Sequence, residues 1–169
     1  MAIFDFMKIC VFTDVDGVVM LEGKPVSGTK LVRTAKVVFN NDEFKDEAIT
    51  DSEGRFHFDA IYSRSMNAFL PSEKLVSQQI TIHHNNKLFD AWRSVKHNYN
   101  YNGELNVFKD ISGALDKNLK TDSNGLPVVP FFLSCELTDD SSYARAAGRN
   151  NEGNVVVGLC RWPGEIVNN

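Results

Sequence analysis

The stretch TDSEGRFHF, residues 50–58, decides how the rest of the chain is read. Asp51 opens a tight turn, because its short carboxylate can accept from backbone N–H groups just ahead of it. Gly54 supplies the positive φ that such a turn demands. Beyond it Phe56 and Phe58 fall on one face of a strand, with Arg55 and His57 on the other, since side chains alternate with a period of two. The stretch therefore predicts a β-hairpin.

Outward from it the same alternation recurs. KICVFT (8–13) and VDGVVML (15–21) are short β-rich runs, followed by a turn at Glu22-Gly23-Lys24-Pro25. Pro25 and Gly28 suit an edge or bulge before TKLVRTAKVVF (29–39), where Leu31, Arg33 and Ala35 share one face and Val32, Thr34 and Lys36 the other. NNDEFKDE (40–47) reads as a polar hairpin tip or short loop. QQITIHH (78–84) and KLFDAWRSV (87–95) flank Asn85-Asn86, a two-residue hairpin connection. GELNVFKD (103–110), VVPFFLSCEL (128–137) and NVVVGLCRW (154–162) are further strands, the second apolar throughout and so central. SRSMNAFLPSEK (63–74) predicts one or two helical turns ending near Pro71, and 111–126 and 139–153 read as loops. Many short strands with regular turn signals predict an all-β antiparallel sandwich in a single domain spanning 1–169.

Composition agrees. At 169 residues, 43% hydrophobic and 24% charged, the chain can bury a core without disulfides. A net charge of −4 points away from nucleic acid. Three cysteines, Cys10, Cys135 and Cys160, form no close pair in sequence, which predicts reduced core residues and a reducing compartment. The apolar start MAIFDFMKICVF is interrupted by Asp5 and Lys8 and lacks a signal peptide's basic region and cleavage site. With no apolar run of membrane-spanning length, the expectation is a cytoplasmic protein with no membrane partner.

GVVMLEGKPVSGTKLVRT and AITDSEGRFHFDAI, within 17–61, resemble the carboxypeptidase regulatory-like, or transthyretin-like, family of small β-sandwich domains. Gly17, Val19, Gly23, Pro25, Val26, Gly28, Val32, Thr50, Asp51, Gly54, Phe56 and Phe58 match its pattern, and Thr29 stands where alanine is usual. The match covers about a quarter of the chain; the remainder resembles a group of short bacterial proteins built on this module. The resemblance implies a transthyretin-like fold and an accessory, binding or structural role. Every matched residue has a mechanical task, so the pattern carries no catalytic group.

FTDVDGVV (12–19) resembles the first motif of haloacid dehalogenase-type phosphatases. By that resemblance Asp14 would be the nucleophile and Asp16 the acid/base, with Mg²⁺ shared with a later pair such as Asp139-Asp140. That fold needs long helices between parallel strands, and 17–61 offers Gly-Pro turns instead; turn chemistry is the simpler account. His57, His83, His84 and His97 do not make a metal site by spacing, since adjacent His83 and His84 point to opposite faces. No nucleophile motif or phosphate-cradling glycine loop occurs, so neither enzyme activity nor a cofactor is expected.

A binding surface is easier to name. KHNYNYNGE (96–104) interleaves Tyr99 and Tyr101 with Asn98, Asn100 and Asn102, a composition suited to adaptable contact, although both tyrosines could instead cover a sheet edge. Acidic rims at Asp42 and Glu43 and at Glu136, Asp139 and Asp140 would steer a basic partner. These features lead to the expectation of a non-enzymatic protein-binding module, foremost an immunity (antitoxin) protein against a bacterial toxin. A structural accessory subunit of a secretion or surface assembly and the Asp14/Asp16 phosphatase are the alternatives.

Overall fold

A computed structural model describes residues 8–64, 75–97, 99, 131–139, 144–146 and 155–162. Among these the chain is all-β, with no helix. A six-stranded sheet has the order β11 (Ala144–Ala146), β12 (Val155–Val157), β9 (Lys87–Lys96), β8 (Val76–His84), β4 (Lys30–Val37) and β5 (Glu43–Ile49). A second sheet runs β13 (Cys160–Arg161), β10 (Phe132–Glu136), β2 (Val15–Leu21) and β3 (Lys24–Pro25), with β6 (Arg55–Phe58) also paired to β2. A separate antiparallel ribbon joins β1 (Lys8–Phe12) to β7 (Ile61–Arg64).

Alternation explains the layers. β4 turns Leu31, Arg33, Ala35 and Val37 inward, and β8 turns in Val76, Gln78, Ile80 and Ile82. Val15 and Val19 of β2, Phe56 and Phe58 of β6, and Leu133 and Cys135 of β10 meet them in one continuous core. Burial of this apolar surface is the main favourable term in folding. At one end Trp92 packs edge-on to Phe131 and Trp162, with ring centroids 4.9 and 5.2 Å away.

The inner face of the larger sheet is not wholly apolar. Arg33, Gln78 and Lys96 are buried there, each reaching a backbone carbonyl of the segment around β1. Lys96 Nζ donates to Cys10 O at 3.0 Å, Gln78 Nε2 to Val11 O at 2.9 Å, and Arg33 Nη1 to Thr13 O at 3.2 Å. In the sheet's register Lys96 lies opposite Val76, Gln78 two residues further along β8, and Arg33 opposite Ile80. The three therefore form a diagonal stripe, and β1 crosses the sheet along it. A bulge at Val11, between the pairs Cys10↔Tyr62 and Phe12↔Ile61, accompanies this crossing.

Arg33 does more than the other two. Its Nε and Nη2 grip both oxygens of Asp46, directly opposite on β5, while Nη2 also reaches Asp59 O. Its guanidinium lies 4.9 Å from the Phe12 ring centroid and 4.7 Å from that of Phe58.

Several sequence expectations need correction. The Asp51–Gly54 turn forms as expected, with Gly54 at φ 72° and Asp51 Oδ1 accepting from Glu53 N and Arg55 N at 2.8 and 2.9 Å. It does not close a hairpin, however. β5 before it pairs with β4 and β6 after it pairs with β2, so the turn carries the chain from one sheet to the other. Residues 43–47, expected in a polar tip, are strand, because their alternation of charged and half-buried residues suits a sheet edge. The β10–β2 pair is parallel, unlike the antiparallel arrangement expected throughout. Residues 144–146, placed in a loop by composition, form β11. The single strand expected over 154–162 splits at Gly158 into β12 and β13, which belong to different sheets.

Cysteine pairing is also corrected. Cys135 and Cys160, directly opposite on β10 and β13, are joined by a disulfide across a sequence separation of 25. Cys10, the third, is buried and takes no part in that disulfide. Long-range strand pairing brings the other two together, which spacing alone did not show. The premise for a reducing compartment goes with it. The helical turns expected over 63–74, the strand at 103–110 and the loop at 111–126 lie wholly or largely outside the described residues. The Asn85-Asn86 connection is confirmed, with φ of 48° and 60° at its two residues.

Gly158 makes the change of sheet possible. Asp90 and Trp92 are the partners of Thr81 and Ile80, so Ala91 between them is an extra, bulged residue. Leu159 N donates to Asp90 O at 3.0 Å, and the Gly158 backbone presses against the bulge at φ 148°. A Cβ there would lie 2.3 Å from Ala91 O. Gly158→Ala should therefore lower stability by about 2 kcal/mol or more in urea unfolding. An unchanged midpoint would show that the approach is looser than described.

Candidate functional site

The outer edge of β5 and the start of β6 border an open groove of about 420 Å³, lined by Asp16, Glu47, Ala48, Ile49, Asp51, Arg55, Phe56 and His57. The sheet-to-sheet turn creates it, because β5 and β6 leave Asp51 in different layers. Ile49 at its rim is 69% exposed, although isoleucine is ordinarily buried.

Its chemistry centres on His57. Asp16 and His57 are opposite each other on β2 and β6, on the outward face. His57 Nδ1 lies 2.7 Å from Asp16 Oδ1, and Nε2 lies 3.1 Å from Asp59 Oδ1. An ionised carboxylate only accepts, so satisfying both contacts requires a hydrogen on each ring nitrogen: the imidazolium. The bonds to Asp16 and then Asp59 accordingly raise the His57 pKa above its usual range, against a small opposing effect of burial. Around it, Glu47 is held ionised by Lys30 at 2.8 Å, which lowers its pKa, and Arg55 pairs with Glu53 at 2.9 Å.

Of the residues singled out for phosphate chemistry, Asp14 is half-buried and Asp16 is committed to His57. Asp139 lies 3.5 Å from Arg161 Nε. Asp16 sits beside Phe132 at the start of β10, and Asp139 lies beyond that strand's end. The strand's length, roughly 13 Å at ~3.3 Å per residue, separates them, too far for one ion to bridge. His83 is exposed, His84 Nδ1 lies 3.1 Å from Thr29 Oγ1, and His97 is exposed, so the histidines are scattered. Among the described residues no group of three His, Cys, Asp or Glu is placed to hold a metal.

The expected partner-binding residues have mixed fates. Glu136 is a clamp: Oε1 accepts from Glu22 N at 2.9 Å and from Thr138 Oγ1 at 2.9 Å, and Oε2 from Gly23 N at 2.9 Å. Burial would raise its pKa, but these donors outweigh that and lower it. The clamp fixes the Glu22-Gly23 hairpin, both residues at positive φ. Asp42 is exposed and bonded to Asn40, and Glu43 pairs with Lys36 at 2.9 Å. Tyr99 packs against the core, its carbonyl accepting from Cys10 N at 2.9 Å; burial raises its phenol pKa. Asn98, Asn100, Tyr101 and Asp140 lie outside the described residues. Pro25 is on the edge strand β3 and Gly28 has φ 70°, as their turn roles required.

Sequence reasoning missed the His57 cluster and the groove. The only signal was the alternation of RFHFD, which puts His57 and Asp59 on one face; Asp16 joins them only through strand pairing.

Residues 15–118 match the model of the family described as Domain of unknown function (DUF6795), and the chain belongs to that family. No curated protein matches the chain. Among the described residues no helix is long and apolar enough to cross a membrane.

The His57 cluster has a pH signature. A folded pKa raised above the unfolded value, near 6.5, gives stabilisation that is fully present below that value and is lost as pH rises through the folded pKa. The stability difference between wild type and His57→Gln should therefore be larger at mildly acidic than at alkaline pH. Equal differences in urea unfolding at both would refute the paired imidazolium.

Proposed function

We propose that this chain is a non-catalytic protein-binding module, and within that class an immunity protein that neutralises a cognate bacterial toxin. The observation that supports binding is the exposed acidic border of the sandwich, with Asp42 and Glu43 at one end of β5 and Glu47 and Asp51 beside the apolar Ile49 and an open groove at the other. Carboxylates at a rim steer a basic partner and an apolar centre supplies affinity. The transthyretin-like reading of the sandwich fits this role, because the matched residues are spent on turns and core: Gly23, Gly28 and Gly54 at positive φ, Phe56 and Phe58 buried.

The test is to sequence the neighbourhood of the gene and co-express the chain with any toxin-sized reading frame found beside it. The reading predicts restored growth and a stable complex whose affinity falls about tenfold, ~1.4 kcal/mol, from low to high salt. A complex without rescue would favour a structural accessory subunit. No complex would end the binding reading. Mg²⁺-dependent phosphomonoester turnover that vanishes in folded Asp14→Asn would replace it with the phosphatase.

A further inference from the structure

β5 is the last strand of its sheet, and among the described residues only β4 pairs with it. Its hydrogen-bond parity can be fixed from the two ends. Val37 N donates to Asp42 O and Thr50 N to Thr29 O, at 2.9 and 3.0 Å. In an antiparallel pair, residues turn their backbone groups alternately toward and away from the partner. The unbroken register from Lys30↔Ile49 to Lys36↔Glu43 then assigns Phe44, Asp46 and Ala48 to β4. Glu43, Lys45, Glu47 and Ile49 direct their N–H and C=O groups to the open edge.

Such an edge is ordinarily guarded by proline, a bulge or a short strand. β5 has seven residues, no proline and no register shift against β4. Its guard is charge, and that charge is one-sided. Residues 42–51 carry Asp42, Glu43, Asp46, Glu47 and Asp51 against Lys45 alone, five minus one, or −4. The cations that answer Glu43, Asp46 and Glu47 sit one strand back on β4. Two copies of this edge would bring like net charges together. A basic strand would not. At the Ile49 end, the groove offers Ala48 and Phe56 beside the Asp16 and Asp51 carboxylates.

We propose that the open edge of β5 docks an extended basic segment of a protein partner by strand addition, with an apolar side chain of that segment seated against Ile49. Backbone hydrogen bonds along Glu43–Ile49 supply affinity, and basic side chains opposite Glu43 and Glu47 set the preference. The inference rests on the protein-binding reading but is tested apart from any toxin, so the two can fail separately.

The probe is a synthetic peptide of alternating lysine and valine, long enough to span β5, followed by NMR hydrogen exchange and titration on the full chain. It should slow exchange at the amides of Glu43, Lys45, Glu47 and Ile49, whereas those of Phe44, Asp46 and Ala48 are protected beforehand. Lys45→Pro removes an outward N–H without touching the β4 ladder, so it should keep the unfolding midpoint and weaken binding at least tenfold. The same peptide with alternate backbone nitrogens methylated should also lose binding, a control that leaves the protein intact. Equal binding of a glutamate–valine peptide or of the methylated peptide would overturn the proposal. So would wild-type or tighter binding to Lys45→Pro, because simple charge attraction predicts that result. Protection of the four outward amides before any peptide is added would also refute it, since the edge would already be covered by this chain or a second copy.

Discussion

Three backbone carbonyls, those of Cys10, Val11 and Thr13, lie in the interior and are met there by buried side chains from three different strands. A buried carbonyl without a donor costs about 1–3 kcal/mol, so a strand that crosses a sheet instead of joining it needs donors from elsewhere. Lys96, Gln78 and Arg33 provide them in the order in which β1 passes over β9, β8 and β4. Arg33 carries the largest share. It links β4 to β5 through Asp46, to the segment after β1 through Thr13 and to the segment after β6 through Asp59, with Phe12 and Phe58 flanking the guanidinium. Lysine could not reproduce this, because the planar fork alone can grip both Asp46 oxygens while reaching two carbonyls.

From that anchor the rest of the border follows. Asp59 O is held by Arg33 while its carboxylate faces His57, so the core guanidinium and the surface imidazole meet at a single residue. Asp46 is drawn inward by Arg33, which leaves its neighbours on β5 to present the outer face and the open edge. The acidic groove and the proposed docking strand are therefore held in place by a contact inside the protein.

Local features of the fold were legible in the sequence. Alternation located β2, β4, β8 and β9, and the turn residues at Asp51, Gly54 and Asn85-Asn86 took the conformations their chemistry requires. Even the anomaly was visible: Arg33 shares a face with Leu31 and Ala35, and a charge on an apolar face signals a buried partner. What local pattern could not show was which strands pair. The change of sheet after Asp51, the break at Gly158, the Cys135–Cys160 bond and the meeting of Asp16 with His57 all depend on contacts between distant segments. The candidate site was harder to see than the fold because, although His57 and Asp59 are neighbours in sequence, Asp16 reaches them only through a contact of that kind.

Urea unfolding of Arg33→Met tests the role of this anchor most directly. Methionine keeps much of the apolar volume but leaves Asp46 and the Thr13 and Asp59 carbonyls without their donor. Asp46 is partly solvated, so the main loss is at the carbonyls; a buried acceptor left without its donor costs about 1–3 kcal/mol, and the account predicts a loss of about 2 kcal/mol or more. A variant as stable as wild type, or more so, would mean that apolar packing alone holds β1 across the sheet, and would contradict it.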